Sequence, residues 1–155
     1  MVKRKSLEDA ACPVARSLDT IGDWWSLLII RDAFDGLRRF GEFQKSLGMA
    51  KNILSARLRT LVAHGILQSV PASDGSAYLE YVLTPKGLGL FPVIVALRQW
   101  GEDHFYEPGE ARSRLVERAS GRLVPRMAPR KADGGHLKPA DAVVKKAAAP
   151  RVPAA

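Results

Sequence analysis

The chain has one cysteine, Cys12, and three histidines in 155 residues. A single thiol excludes an internal disulfide framework and any multi-cysteine zinc site. No apolar run approaches the length of a membrane span, and the basic start MVKRK leads into SLEDA instead of an apolar leader. A cytoplasmic protein with no membrane partner is therefore expected. His64, His104 and His136 are scattered, and His104 stands beside Glu102 and Asp103, where a histidine is more often solvated than catalytic. No nucleophile–base spacing, glycine-rich phosphate loop or metal-ligand cluster accompanies them. The expectation is no enzyme, no cofactor and no metal.

Acidic residues are missing from one stretch in particular. None occurs between Lys45 and His64, inside the segment RRFGEFQKSLGMAKNILSARLRTLVAHGIL that runs from Arg38 to Leu67. Phe40, Phe43 and Leu47 recur at three- and four-residue spacing and line one face of a short helix. Gly48 follows where a chain leaving a helix needs positive φ. A second periodic run, Leu54, Leu58, Leu61 and Val62, ends at Gly65. Its other face carries Lys51, Ser55 and Arg59 one turn apart, with Asn52 alongside. Cationic, amide and hydroxyl groups are the types that bond phosphates and base edges in a major groove. An ordinary solvated helix would mix both charge signs there. The pattern predicts a helix-turn-helix with double-stranded DNA as partner.

The net charge of +8 must be located before it is used. Residues 1–110 hold 13 Lys+Arg and 13 Asp+Glu, whereas residues 111–155 hold 11 against 3. The excess therefore belongs to the end of the chain. Within residues 36–60, however, Arg38, Arg39, Lys45, Lys51, Arg57 and Arg59 face Glu42 alone, a local basic footprint.

Taken in order, residues 1–11 are polar and expected to fray. Cys12-Pro13 opens a helix with Val14, Leu18 and Ile21 as its stripe, proline being suited to the first helical position. Asp23 caps a central core helix, Trp24 to Phe34, with Trp24, Leu27, Leu28, Ile30 and Phe34 inward. After the helix pair, a strand through Val70, the turn-rich tip Pro71-Ala-Ser-Asp-Gly-Ser76 and a strand from Tyr78 to Leu83 form a hairpin wing. Thr84-Pro85 caps a last helix bearing Leu88, Phe91, Ile94, Val95, Leu97 and Trp100, kinked or divided by Pro92. So much apolar surface suggests a dimer seam. Arg112–Met127 has room for one further helix. Beyond it Ala, Pro, Gly, Lys and Arg dominate, a composition that buries too little to offset ordering entropy. The fold class expected is mainly α with a small β-hairpin: a winged helix-turn-helix over 1–110 that dimerises through its N- and C-terminal helices. A mostly disordered basic tail follows over 111–155.

Several strings, in this order and spacing from about Cys12 to His104, resemble the HxlR-type winged helix-turn-helix regulators of bacteria. They are Cys12-Pro13-Val14, Ile21-Gly22 with Trp25 three residues on, Arg39-Phe40-Gly41-Glu42, Leu54-Ser55-Ala56-Arg57-Leu58-Arg59, Glu80 to Gly87, and Pro92-Val93 followed by Trp100-Gly101. The resemblance implies a homodimeric transcription regulator that reads an inverted repeat, with Lys51, Asn52, Ser55 and Arg59 facing the groove. Arg38 and Arg39 would then touch phosphate, Arg39 lying in the matching string, and Ser73 and Ser76 of the wing tip would join the DNA contacts. Arg57 would either hold the helix pair together or touch phosphate. Three features depart from the pattern: Trp24 replaces a common lysine, the tail is an addition, and the wing has Ala77-Tyr78 before the Glu-Tyr pair and carries Asp74. The wing change argues against minor-groove insertion by a wing arginine.

Some members of that family sense oxidants or electrophiles through a cysteine at the position of Cys12. A thiol at a helix N-terminus sits where the helix dipole favours negative charge, with Arg16 nearby. The alternative is a small buried packing residue. A small-molecule or redox effector thus stays open and unidentified. The rival to sequence-specific regulation is a nonspecific architectural DNA binder driven by the basic tail through counterion release.

Overall fold

A computed structural model describes residues 5–147. Its elements are α1 (Pro13–Ile21), α2 (Trp24–Phe34), α3 (Phe40–Leu47), α4 (Lys51–Ala63), β1 (Leu67–Pro71), β2 (Leu79–Leu83), α5 (Pro85–Leu88), α6 (Phe91–His104) and a 3-10 turn at Pro139–Asp141. Two compact units meet between Ile94 and Val95.

In the first unit, Asp23 starts α2 by accepting from the Ser26 N–H at 2.9 Å and from its hydroxyl. Gly48, at φ 63°, turns the chain from α3 into α4, and Gly65, at φ 69°, turns it from α4 toward β1. The core joins Ile29 and Ile30 of α2, Phe43 of α3, and Leu54, Leu58 and Leu61 of α4 with Ile66 and Leu67. β1 and β2 pair antiparallel from Leu67 opposite Leu83 to Pro71 opposite Leu79. Thr84 caps α5, its hydroxyl accepting from the Gly87 N–H at 3.1 Å.

One helix assignment needs correction. Trp24 is 72% exposed, while Trp25 packs against the core and Ile29 is fully buried. Adjacent residues on a helix diverge by about 100°, so both tryptophans cannot face one core. The last apolar helix is divided, one of the two outcomes expected around Pro92: α5 ends before Gly89, and Pro92 sits in the first turn of α6, where its missing N–H costs nothing.

The second unit begins within α6. No helix forms over Arg112–Met127, where the sequence left room for one. A tight turn replaces it, with Val116 bridging Leu123 and Gly121 at φ 68°. Residues 111–147, expected from composition to lack order, carry no regular helix or strand beyond the 3-10 turn, and all but Leu115, Val124 and Leu137 are exposed. Polar bonds substitute for burial there. The Gln99 amide donates to the Pro125 carbonyl at 3.0 Å and its oxygen accepts from the Met127 N–H at 2.8 Å. Arg126 pairs with Glu102 and Asp103, and Arg98 donates to the Ser113 hydroxyl. The expected fraying of residues 1–4, and the tail over 148–155, fall outside the described residues.

Candidate nucleic-acid interface

Helix α4 buries Leu54, Leu58 and Leu61 completely or almost so. That fixes its rotation and turns the opposite side outward. Lys51, Asn52 and Arg59 are exposed there and Ser55 is half-buried. Within the described residues no hydrogen bond or ion pair engages these four side chains. Ala50 precedes α4 without supplying a side-chain acceptor, so no side chain caps the N–H groups of the first turn. A helix N-terminus of this kind favours an anion.

Arg57, left with two roles by the sequence, is turned toward the core side. Its Nε lies 3.4 Å from Asp23 Oδ1, tying α4 to the residue that caps α2.

Arg38, Arg39, Ser73 and Ser76 gather at the wing, and each is engaged there. The Arg39 backbone bridges Glu80, and the Tyr81 N–H donates to the Arg38 carbonyl at 2.7 Å, so this segment lies against β2 through an isolated antiparallel bridge. Glu42 accepts from the N–H groups of Arg38 and Arg39 at 2.8 and 2.9 Å and anchors the start of α3. Arg39 Nη2 donates to Asp74 Oδ2 at 2.6 Å and lies 3.5 Å from Glu80 Oε1. Arg38 Nη1 lies 3.7 Å from the other Glu80 oxygen. Ser73 donates to Glu80 through both hydroxyl, at 2.9 Å, and N–H, and the Ser76 N–H donates to Asp74 Oδ1 at 3.0 Å. Two arginines thus meet two carboxylates, one of which, Glu80, is 3% exposed. The sequence had no signal for this clamp, because its partners lie 35 positions apart. A groove of about 650 Å³ beside it is lined by Arg39, Phe40, Tyr78, Leu79 and Tyr81 among others.

The clamp holds Asp74 and Glu80, and the backbone at the start of α3 holds Glu42, below the ordinary carboxyl range. For Glu42 the cause is the backbone N–H of Arg38 and then of Arg39. For Asp74 it is foremost the Arg39 hydrogen bond and then Ser76. For Glu80 it is foremost the Ser73 hydroxyl, with the charges of Arg39 and Arg38 behind it and burial opposing. A carboxyl whose folded pKa lies below its unfolded value stabilises fully above the unfolded value, and that stabilisation goes as pH falls through the folded one. Thermal stability should therefore hold from neutral pH down to about pH 5 and fall progressively below about pH 4, where unfolded carboxyls titrate. A melting temperature independent of pH down to about pH 3 would contradict the clamp.

Cys12 occupies the N-cap position of α1 and is exposed. Arg16 donates to the Ala10 carbonyl at 2.5 Å. Among the described residues no helix is long and apolar enough to cross a membrane, and no group of three or more His, Cys, Asp or Glu is placed to hold a metal.

Residues 20–108 match the HxlR-like helix-turn-helix family. Rv3095 of Mycobacterium tuberculosis, named an uncharacterized HTH-type transcriptional regulator, is 45% identical over 95 residues, 61% of this chain and 60% of that protein. The chain thus matches less than two thirds of the length of that curated relative. The crystal structure of PA1607, described as a candidate transcription factor, aligns with a TM-score of 0.87 at 61% identity over 91% of this chain and 99% of that one. That likeness reaches well past the family match into the C-terminal segment. The redox regulator HypR in its oxidised form aligns with a TM-score of 0.56 at 32% identity over 62% of this chain and 100% of that one. With more than half of its length inside the family match, the chain belongs to the HxlR-like helix-turn-helix family.

Proposed function

We propose that this chain is a sequence-specific DNA-binding transcription regulator acting as a homodimer on an inverted repeat. One observation carries the reading: α4 presents Lys51, Asn52, Ser55 and Arg59 outward with no partner among the described residues, on a helix whose other face is locked into the core. An α-helix fits a major groove, where an amide can meet an adenine edge in two hydrogen bonds and cations meet guanine or phosphate. Ala50 leaves the start of α4 to a phosphate. A second copy would cover the exposed Val14 of α1 and the exposed Leu97 and Trp100 of α6. The two recognition helices would then read half-sites related by the dimer axis. Footprinting the full chain on DNA upstream of its own gene tests this: a two-fold symmetric protected region supports it, and uniform protection favours the architectural alternative driven by the basic C-terminal segment.

A redox signal is the second element of the reading, favoured by the exposure of Cys12 and by the likeness to a protein named a redox regulator. An oxidant should then change DNA affinity of the wild type and leave Cys12→Ser unaffected. Equal responses of the two proteins would remove Cys12 from this role.

A further inference from the structure

The sequence puts a cation, Arg39, where a DNA phosphate is expected, and the structure puts an anion of the wing on it. Asp74 comes from the tip of the hairpin, 35 positions away, and its Oδ2 sits 2.6 Å from Arg39 Nη2. The tip is shaped to deliver it. The Ser76 N–H holds Oδ1, and Gly75, at φ 74°, closes the turn with its N–H on the Ala72 carbonyl. Glu80 already offsets one of the two arginine charges from a buried position, reaching Arg38 at 3.7 Å and Arg39 at 3.5 Å. Asp74 is the additional charge. It brings the cluster from one net positive charge to zero. Unlike Glu80, it is half-exposed, 52% against 4% for the two side chains, and Arg39 keeps 34% of its own side-chain surface. A phosphate oxygen can therefore reach the guanidinium from solvent.

We propose that Asp74 is an affinity-determining residue of the DNA interface: it occupies Arg39 as an internal substitute for a DNA phosphate and withholds that contact. This inference rests on the DNA-binding reading above. An arginine fork bonds a carboxylate and a phosphate oxygen with the same geometry, so the two anions compete for one set of donors. Each phosphate contact made contributes to the salt dependence of binding through counterion release. An arginine held by Asp74 contributes nothing to it. Phosphate contacts carry no sequence information, so the substitution acts on cognate and random DNA alike.

The test is a double-mutant cycle on the full chain, using Asp74→Asn, Arg39→Gln and the pair. Asparagine keeps an acceptor for the Ser76 N–H, so the tip turn is retained while the charge is removed. Affinities are measured on the preferred duplex and on a random duplex of equal length between about 50 and 200 mM salt, a range over which phosphate contacts separate from base contacts. Asp74→Asn is expected to bind both duplexes several-fold tighter, with an unchanged ratio between them and a log–log salt slope steeper by about 0.9 per protomer, the value for one added phosphate. In the Arg39→Gln background the same substitution should gain little. A gain that persists in full without Arg39 means that Asp74 acts only by repelling DNA, and overturns the inference. Weaker or unchanged binding by Asp74→Asn overturns it too, since Asp74 then serves to place the wing. A wild type without affinity for either duplex overturns the DNA-binding reading and this inference together.

Discussion

Replacing Phe43 by alanine is expected to destabilise the protein by about 3–5 kcal/mol, as removal of a fully buried aromatic side chain generally does. Phe43 is fully buried and the largest of the core side chains that are completely enclosed. It lies on the inner side of α3, against the residues of α2 and α4 that make up the core cluster. An alanine leaves a void that rigid helices on both sides cannot collapse around. Since domains of this size are stable by about 5–15 kcal/mol, the variant would lose a large part of its margin. DNA binding should fall with it, because the angle of α4 is set by what α3 packs into. A shift of the chemical-denaturation midpoint at constant slope measures the effect. A cost below about 1 kcal/mol would mean that the centre of this core lies elsewhere.

Asn52→Ala is the second large effect and acts on recognition alone. Asn52 is exposed near the start of α4, so its removal should leave the melting temperature nearly unchanged. If it bonds an adenine edge in two places, its loss reduces discrimination by about 1–3 kcal/mol, roughly tenfold to a hundredfold. The loss should be confined to the preferred sequence. Affinity for random duplex and its salt slope should stay as they are, because no phosphate contact is removed.

The helix-turn-helix was legible because apolar residues recur at helical spacing in both of its helices and charged and amide groups stand between them. Phe43, Leu54, Leu58 and Leu61 are all buried. Helix α2 has no charged residue before Arg31 to mark an outer face. Its run Trp24-Trp25-Ser26-Leu27-Leu28-Ile29-Ile30 is apolar nearly all round, so periodicity could not choose its inner face. Ser26 shows the true phase: it is buried because Asp23 satisfies its hydroxyl, a contact that makes a polar residue tolerable inside. The row Lys51, Asn52, Ser55 and Arg59 could be read from spacing alone, since a helix fixes which residues share a face.

The roles of Arg38, Arg39, Arg57, Ser73 and Ser76 could not be read in this way. A cation in a sequence is free until its partners are known. Arg57 finds Asp23 across the helix packing, and Arg39 finds Asp74 and Glu80 across the hairpin. The glutamate and aspartate were visible, but only the register of β1 with β2 and the bridge from Arg39 to Glu80 place them beside the arginines. The C-terminal segment was opaque for a related reason. Its composition correctly indicates how little it buries, but the bonds from Gln99, Glu102 and Asp103 to Pro125, Arg126 and Met127 have no sequence signature.

The central claim is that the outward face of α4 reads sequence. The measurement that tests it most directly is recovery of preferred duplexes from a random pool by the full chain and by Asn52→Ala, with each recovered site titrated at about 200 mM salt, where nonspecific binding is weak. The account predicts that the wild type enriches a two-fold symmetric sequence, and that Asn52→Ala relaxes it at one position in each half-site while binding random DNA as before. A wild type that enriches nothing, or a variant that enriches the same sequence with equal strength, would contradict it.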